Sequence, residues 1–168
     1  MPTLYLMLGY PGAGKTTTAK VIADITGATL LSSDALRFEM FDSPRFSEEE
    51  HEQLYRELNQ RTEKLLASGK DVVYDANLNR HEHRREKYDI CEQANATPKL
   101  IWVRTPKELA KQRATHESRK HFTPRGEALA DMFDRIANLI EEPKQDEHHI
   151  EIIGQNVTPE IVRAKLGL

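Results

Sequence analysis

Short apolar runs alternate with longer amphipathic stretches along most of the chain. The first run, Thr3 to Leu8, has the length of a buried strand. From Thr17 to Ile25 the apolar residues recur at helical spacing on a polar background. Helical stretches separate four further apolar runs, which predict strands at 28–32, 71–75, 99–103 and 148–153. This alternation favours a parallel sheet that is covered by helices on both faces.

Capping and turn residues set the boundaries of these predicted elements. Ser47, followed three residues later by Glu50, is a capping box that predicts the start of a long helix. Asn79 is expected to cap the next helix, which is rich in charged residues at its start. Pro143 ends a helix predicted over 125–140. No repeat or linker interrupts the pattern. We therefore expect residues 1–168 to form one α/β domain, a three-layer α/β/α fold with a five-stranded, mainly parallel sheet.

The stretch between the first strand and the first helix carries a specific chemical signal. Residues 9–16 match G-x-x-x-x-G-K-T, the P-loop pattern, and both flanking elements that it requires are predicted. Glycines let the backbone fold around a phosphate, and the turn N–H groups with the helix N-terminus form an anion-binding nest. Lys15 is expected to reach the β- and γ-phosphates, and the Thr16 hydroxyl to ligate Mg²⁺. The residues predicted to bind ATP here are Gly12, Ala13, Gly14, Lys15, Thr16 and Thr17.

Two acidic residues directly follow strands and are predicted to lie beside the P-loop. In open parallel sheets ligands bind at the carboxyl ends of the strands, where Asp34 and Asp75 stand. The second strand, which precedes Asp34, is expected to lie next to the P-loop strand. Asp34 is suited either to accept the proton of a hydroxyl acceptor or to cap the helix predicted from Ala35. Asp75 is suited either to hold the Mg²⁺ shell or to bond to turn amides. The residue pattern leaves both alternatives open.

Arginines in two further places are candidates for binding phosphate groups. Arg37 lies one helical turn after Asp34, where it either grips an anionic acceptor or is a solvated surface residue. The segment 116–125 has no apolar period, which predicts a mobile lid at about 114–125. Within that lid, Arg119 is the candidate for stabilising charge on the γ-phosphate. Arg113, beside it, is a candidate for stacking on adenine.

Composition narrows the classes of function. The chain has 24 basic and 27 acidic residues, a net charge of −3, which disfavours binding to long nucleic acid through a general basic surface. Its one cysteine, Cys91, excludes an internal disulfide and a cysteine-rich metal site, and the seven histidines lack ligand spacing. No apolar run reaches transmembrane length, and the first strand leaves no room for a signal peptide. We therefore expect a cytoplasmic protein with no membrane association and no obligate protein partner.

Four stretches together resemble the P-loop kinases of the polynucleotide 5′-kinase type, a group related to zeta-toxin-like kinases and AAA_33-type ATP-binding proteins. The stretches are 9–16, Ser-Ser-Asp-Ala-Leu-Arg at 32–37, Val-Val-Tyr-Asp-Ala-Asn-Leu-Asn at 72–79, and the lid from 113 to 124. The resemblance implies that Asp34 is a general base and that Arg37 holds a phosphate beside the acceptor hydroxyl. It also implies that a lid arginine touches the donor phosphates. The lid departs from the family pattern, because Glu117 stands four residues after Arg113 and the next arginine is Arg119.

The expected function is transfer of the γ-phosphate of ATP, with Mg²⁺, to a hydroxyl group. By the resemblance, the acceptor is a polynucleotide 5′-OH or a related nucleotide or small molecule. The alternative is a P-loop ATPase or nucleotide-binding switch that has no hydroxyl acceptor. Such a protein needs a residue that orients water at the γ-phosphate, and none is evident, whereas the pair Asp34 and Arg37 suits an acceptor. A nucleic-acid-binding module would require a basic stripe or interleaved aromatic residues.

Overall fold

A five-stranded sheet forms the centre of the structure, a computed structural model that describes residues 1–116 and 126–168. The strands are β1 (Thr3–Leu8), β2 (Thr29–Ser32), β3 (Val72–Asp75), β4 (Thr97–Arg104) and β5 (His149–Ile153). They lie in the order β2-β3-β1-β4-β5, and each pairing is parallel. The predicted α/β class with five strands is therefore confirmed.

Helices cover both faces of this sheet. In the described residues they are α1 (Lys15–Thr26), α2 (Ser33–Met40), α3 (Glu48–Ala67), α4 (His81–Gln93), α5 (Lys107–Ala114), α6 (Leu129–Ala137) and α7 (Pro159–Leu166). The central strand β1 shows why two layers are needed: Leu4 and Leu6 pack in one core with α3 and α4, while Tyr5 and Met7 pack in the other with α1 and α7. Among the described residues, no helix is both long and apolar enough to cross a membrane.

The strand order corrects one prediction. The second strand does not lie beside the P-loop strand, because β3 is inserted between them: Tyr74 is paired with Leu6 on one side and with Leu31 on the other. The physical reason is burial. The side chains of β3 are buried throughout, as an interior strand requires, whereas those of β2 are only partly buried, as befits the edge. As a result, Asp75 lies next to the P-loop, and Asp34 lies one strand further out.

Two predicted helix starts have different outcomes. Ser47 caps α3, since its Oγ accepts a hydrogen bond from the Glu50 N–H at 3.2 Å. Asn79 does not cap α4, which starts after Arg80 without a side-chain cap. Instead, the Asn79 side-chain amide donates to the Ile136 carbonyl at 3.4 Å. This long-range contact ties the loop after β3 to α6, and it takes the place of the predicted cap of α4.

Candidate active site

One cavity of about 530 Å³ opens at the carboxyl ends of the strands and gathers most of the predicted residues. The P-loop forms its floor, the start of α2 one side, and α5 and α6 the opposite side. Of the predicted site residues, those that line it are Gly12, Gly14, Lys15, Thr16, Thr17, Asp34, Asp75 and Arg113. Ala13 is fully buried behind the loop, and Arg37 is not in the lining. Residues 117–125, with Arg119 and most of the predicted lid, lie outside the described residues.

The P-loop has a backbone conformation that requires glycine. Gly12 and Gly14 have φ values of 78° and 104°, in the left-handed region. A Cβ atom on Gly12 would lie 2.2 Å from the Ala110 carbonyl oxygen, so α5 packs directly on the loop. Gly14 is the N-cap of α1, and no side chain caps this helix. The first-turn N–H groups of α1 are therefore left to meet an anion at the cavity floor.

Lys15 closes over the loop from which it projects. Its Nζ donates hydrogen bonds to the carbonyl oxygens of Gly9 and Tyr10, both at 2.9 Å. These bonds hold the ammonium group at the rim of the anion-binding nest, so a phosphate seated on the first turn of α1 would lie beside a fixed positive charge.

Two residues that sequence reasoning missed hold the back of the P-loop. The Thr105 hydroxyl donates to the Ala13 carbonyl at 2.7 Å, and this bond is buried. A Cβ atom on Gly154 would lie 2.0 Å from the same carbonyl, so only glycine fits there. Each residue directly follows a strand, β4 or β5, at the edge where ligands bind. That position is the sequence signal that would have found them.

Thr16, after the P-loop, and Asp75, at the end of β3, are paired by a hydrogen bond beside the cavity floor. The Thr16 Oγ1 donates to Asp75 Oδ2 at 2.8 Å, and Asp75 is only 6% exposed. Burial raises the pKa of Asp75, although the Thr16 hydrogen bond and the Lys15 charge oppose this. Hard oxygen ligands of this kind fit Mg²⁺, which usually takes one or two carboxylates together with substrate phosphates. Among the described residues, no group of three or more His, Cys, Asp or Glu side chains is arranged to hold a metal ion.

Asp34 lies in the first turn of α2 with its side chain exposed to the cavity. The helix is capped by Ser32, whose Oγ accepts from the Ala35 N–H at 3.4 Å. The alternative that Asp34 is the N-cap is therefore wrong. Burial raises the pKa of Asp75 most, and the negative charge of Asp34 also raises it. Both acids line the same cavity.

Arg37 is buried, not solvated. Its side chain is 9% exposed, with Nη2 at 3.4 Å from His51 Nδ1 and the guanidinium 4.7 Å from the centre of the Phe46 ring. Burial, followed by the Arg37 charge, lowers the pKa of His51, so its neutral ring can accept the bond. Nη1 lies 3.9 Å from Glu50 Oε2, and it has no hydrogen-bond partner among the described residues. A buried donor without a partner costs stability, which favours a role in binding a ligand.

The loop before α3 is shaped to hold this arginine. The Glu50 carboxylate accepts hydrogen bonds from the N–H groups of Arg45 and Phe46, at 2.8 Å each for the shorter contacts. The Glu50 carboxylate therefore forms an altered capping box, in which it accepts from the N–H groups one and two residues before the N-cap, Ser47, and not from the N-cap itself. Phe46 has a φ of 56°, which is a strained value for an aromatic residue. Strained backbone conformations of this kind are common near binding sites. The strain brings the Phe46 ring against the guanidinium of Arg37.

The wall opposite Asp34 is partly apolar. Met132 and Ile136 of α6 line the cavity together with Asn77 and Asn79. Arg113 projects from the last turn of α5, with its side chain exposed. The sequence predicted a helix here but no role for α6 in the site.

The fold and the site together define a P-loop kinase fold. A family model described as an AAA domain, AAA_33, matches residues 4–139. Because the match spans most of the chain, the protein belongs to this family, and the resemblance predicted from its motifs is confirmed. A search of curated protein sequences gives no match.

Solved structures share this fold at low sequence identity. A candidate kinase from Chloroflexus aurantiacus J-10-fl is 19% identical, with a TM-score of 0.78, over 99% of this chain and 97% of that one. The APS kinase CysC of Mycobacterium tuberculosis, solved with AMPPNP and APS, is 17% identical, with a TM-score of 0.65, over 99% and 96%. A chain of the Pnkp1/Rnl/Hen1 RNA repair complex is 19% identical, with a TM-score of 0.66, over 82% of this chain but 44% of that one.

Proposed function

We propose that this protein is an ATP- and Mg²⁺-dependent kinase that transfers the γ-phosphate to a hydroxyl group of its acceptor. The observation that carries the proposal is the shared cavity. On its floor lies the P-loop with Lys15, beside it the pair Thr16 and Asp75, and across Asp75 the exposed carboxylate of Asp34. A carboxylate at that place would also orient water in an ATPase, but the pair Asp34 and Arg37 suits a hydroxyl acceptor better.

The donor half of the site is the P-loop with its supports. The uncapped N-terminus of α1 and the Lys15 ammonium group would bind the phosphates of ATP, and Arg113, which lines the same cavity, would stack on the adenine. Thr16 and Asp75 would hold Mg²⁺, which neutralises charge on the phosphates when bound. Because Asp75 must be ionised to hold the ion, its raised pKa predicts weaker nucleotide binding as the pH falls into the acid range.

The acceptor half is the side of the cavity at α2. Asp34 would take the proton of the acceptor hydroxyl while the oxygen of that hydroxyl bonds to the γ-phosphorus. In the same step the bond from the γ-phosphorus to the bridging oxygen breaks, and ADP leaves with that electron pair. Geometry favours this role over helix capping, because Ser32 supplies the cap.

The acceptor is expected to carry an anionic group near its hydroxyl. Arg37 lies one helical turn beyond Asp34, and its buried Nη1 has no hydrogen-bond partner in the described residues. A phosphate or carboxylate would satisfy this donor. The class that fits is a 5′-OH polynucleotide end, a nucleotide, or another small anionic molecule. One structural neighbour is a chain of an RNA repair complex and another is an APS kinase solved with APS, which supports keeping both polynucleotides and small molecules in this class.

The test is transfer of label from γ-labelled ATP to a panel of acceptors. The panel contains 5′-OH DNA and RNA oligonucleotides, nucleosides, nucleoside 3′-phosphates, nucleotide-sugars and antibiotics. We expect labelled product from at least one anionic acceptor, and none from the Lys15→Ala variant. Phosphate release at the same rate with and without each acceptor, and no labelled acceptor, would overturn the proposal in favour of an ATPase.

A further inference from the structure

Tyr55 of α3 reaches the edge of the cavity without lining it. Its Oη accepts a hydrogen bond from the Asn77 N–H at 3.2 Å, in the loop that follows Asp75. Asn77 lines the cavity, as does Asp75 at the end of β3. The Tyr55 hydroxyl therefore ties α3 to the loop that follows the proposed metal ligand.

The same face of α3 also contacts Arg37 of α2. His51 lies one turn before Tyr55, the two rings are 4.5 Å apart between centroids, and His51 Nδ1 contacts Arg37. Burial raises the pKa of Tyr55, so the phenol keeps its proton at neutral pH and can both donate and accept. Its ring packs against the core formed by α3 and the sheet. Tyr55 is thus fixed at its ring and bonded at its hydroxyl.

We propose that Tyr55 is a positioning residue: its hydroxyl holds the loop after β3 on α3, the helix that also contacts Arg37 of α2, in the placement that aligns the acceptor hydroxyl with the γ-phosphate. This inference rests on the proposed kinase function. The distance between an acceptor bound on α2 and a phosphate bound beside Asp75 depends on how these two elements are held. In-line transfer is sensitive to shifts of about 1 Å. Loss of the tether should therefore slow transfer more than it weakens ATP binding.

The test is Tyr55→Phe, which removes the hydroxyl and keeps the ring. The matched control is Tyr74→Phe. The phenol of Tyr74 donates to Asn59 Oδ1 at 3.0 Å, so it also links α3 to β3, but away from the cavity. Each variant loses one phenol hydroxyl that bonds α3 to β3 or to the loop that follows it. A purely structural role predicts that both variants lose a similar, small amount of stability and activity, since each loses one hydrogen bond.

Two measurements decide the inference. The first is turnover with the acceptor that gives the highest rate in the panel above. We expect Tyr55→Phe to lower kcat about tenfold, to raise the ratio of ATP hydrolysis to transfer, and to leave the KM for ATP within about twofold, with Tyr74→Phe close to wild type. Equal kcat and equal coupling in the two variants, at matched folded fractions, would overturn the inference.

The second measurement needs no acceptor and separates this inference from the proposed function. Amide hydrogen exchange at Asn77 is expected to be faster in Tyr55→Phe than in the wild type and in Tyr74→Phe, because its N–H loses its acceptor. If the wild type transfers phosphate to no acceptor, the proposed function fails, and the exchange rate alone decides. Unchanged exchange at Asn77 in Tyr55→Phe would then show that the phenol holds nothing, and the inference would be wrong.

Discussion

Two buried arginines, Arg84 and Arg37, have similar partners but differ in how many of their N–H groups are hydrogen-bonded. Each lies near one glutamate and one histidine. Arg84 is fully buried, and all five of its N–H groups are bonded: a bidentate pair to Glu147 at 2.7 and 2.9 Å, two bonds to backbone carbonyls, and one contact with His81. Arg37 has one histidine contact and a 3.9 Å ion pair from its buried Nη1 to Glu50, and this Nη1 has no hydrogen-bond partner in the described residues.

On the proposed function, the difference separates an arginine that holds the fold from one that binds the acceptor. Arg84 binds the carbonyls of Leu78 and Asn79 and so fixes the loop beside the cavity. All N–H donors of Arg84 are already hydrogen-bonded, so none is available to bind a substrate. Arg37 is preorganised by the Phe46 ring and by His51, but a donor remains unused. Such a donor is tolerated when a ligand completes it, because burying it empty is costly.

The largest expected effect concerns Arg84. Arg84→Met should lower the free energy of unfolding by about 3–5 kcal/mol, since it leaves Glu147 buried without its partner. Arg37→Met is the matched control and should cost less than about 1 kcal/mol, because Glu50 keeps its bonds to two backbone N–H groups. Denaturant unfolding of both variants measures this. Equal losses would remove the distinction between the two arginines.

The next effect concerns transfer. Arg37→Met should lower kcat/KM by about 10–100-fold for an acceptor with a phosphate next to its hydroxyl, because a charge-assisted hydrogen bond is lost. A neutral acceptor should lose far less. Kinetics with a nucleoside and its 3′-phosphate measure the contrast, and Arg37→Lys, which keeps the charge without the fork, should recover part of it. Equal losses for both acceptors would assign Arg37 to the fold or to the donor.

Glu147 gives a third test, through pH. Burial alone would raise its pKa, but the hydrogen bonds from Arg84 and Tyr88 outweigh this and lower the pKa to about 2. The stabilisation by Glu147 is therefore full above its ordinary pKa and is lost as the pH falls towards the folded value. Glu147→Gln should cost roughly 2 kcal/mol at pH 7 and progressively less on acidification, as unfolding measured from pH 7 to pH 3 would reveal. A cost that does not vary with pH would contradict the ion pair.

The smallest expected effect extends the comparison to the acids. Asp75 is buried like Glu147, but its pKa is raised, because burial outweighs its bond to Thr16. A raised folded pKa means that the ionised form destabilises the fold above the ordinary pKa. Asp75→Asn should therefore unfold at a slightly higher temperature than the wild type in the absence of Mg²⁺, with a gap that grows as the pH rises from 4 to 7. It should also lose transfer. A lower melting temperature would show that the carboxylate stabilises the fold.

Much of the fold was predictable because its signals are local. The P-loop spacing, the apolar run of β1 and the Ser47 cap each depend on neighbours within a few residues. The strand order was not predictable in this way, since the placement of β3 between β1 and β2 depends on packing between distant segments. The two arginines show the same limit within the site. Both stand in charge-rich helices, and Arg84 differs because Glu147, 63 residues away, folds back on it. Tyr55 was missed because its apolar ring fits a packing role, and only its hydroxyl reaches the site.

The central claim is that Asp34 serves a hydroxyl acceptor across the cavity from the P-loop. Its most direct test is the rate of phosphoryl transfer by Asp34→Asn, measured together with the Kd for ATP. The side chain stays nearly isosteric and the Ser32 cap is untouched, so the fold and the donor half should remain intact. We predict a loss of transfer of about 10²–10⁴-fold with the Kd for ATP within about twofold of the wild type. Transfer at the wild-type rate would contradict the account.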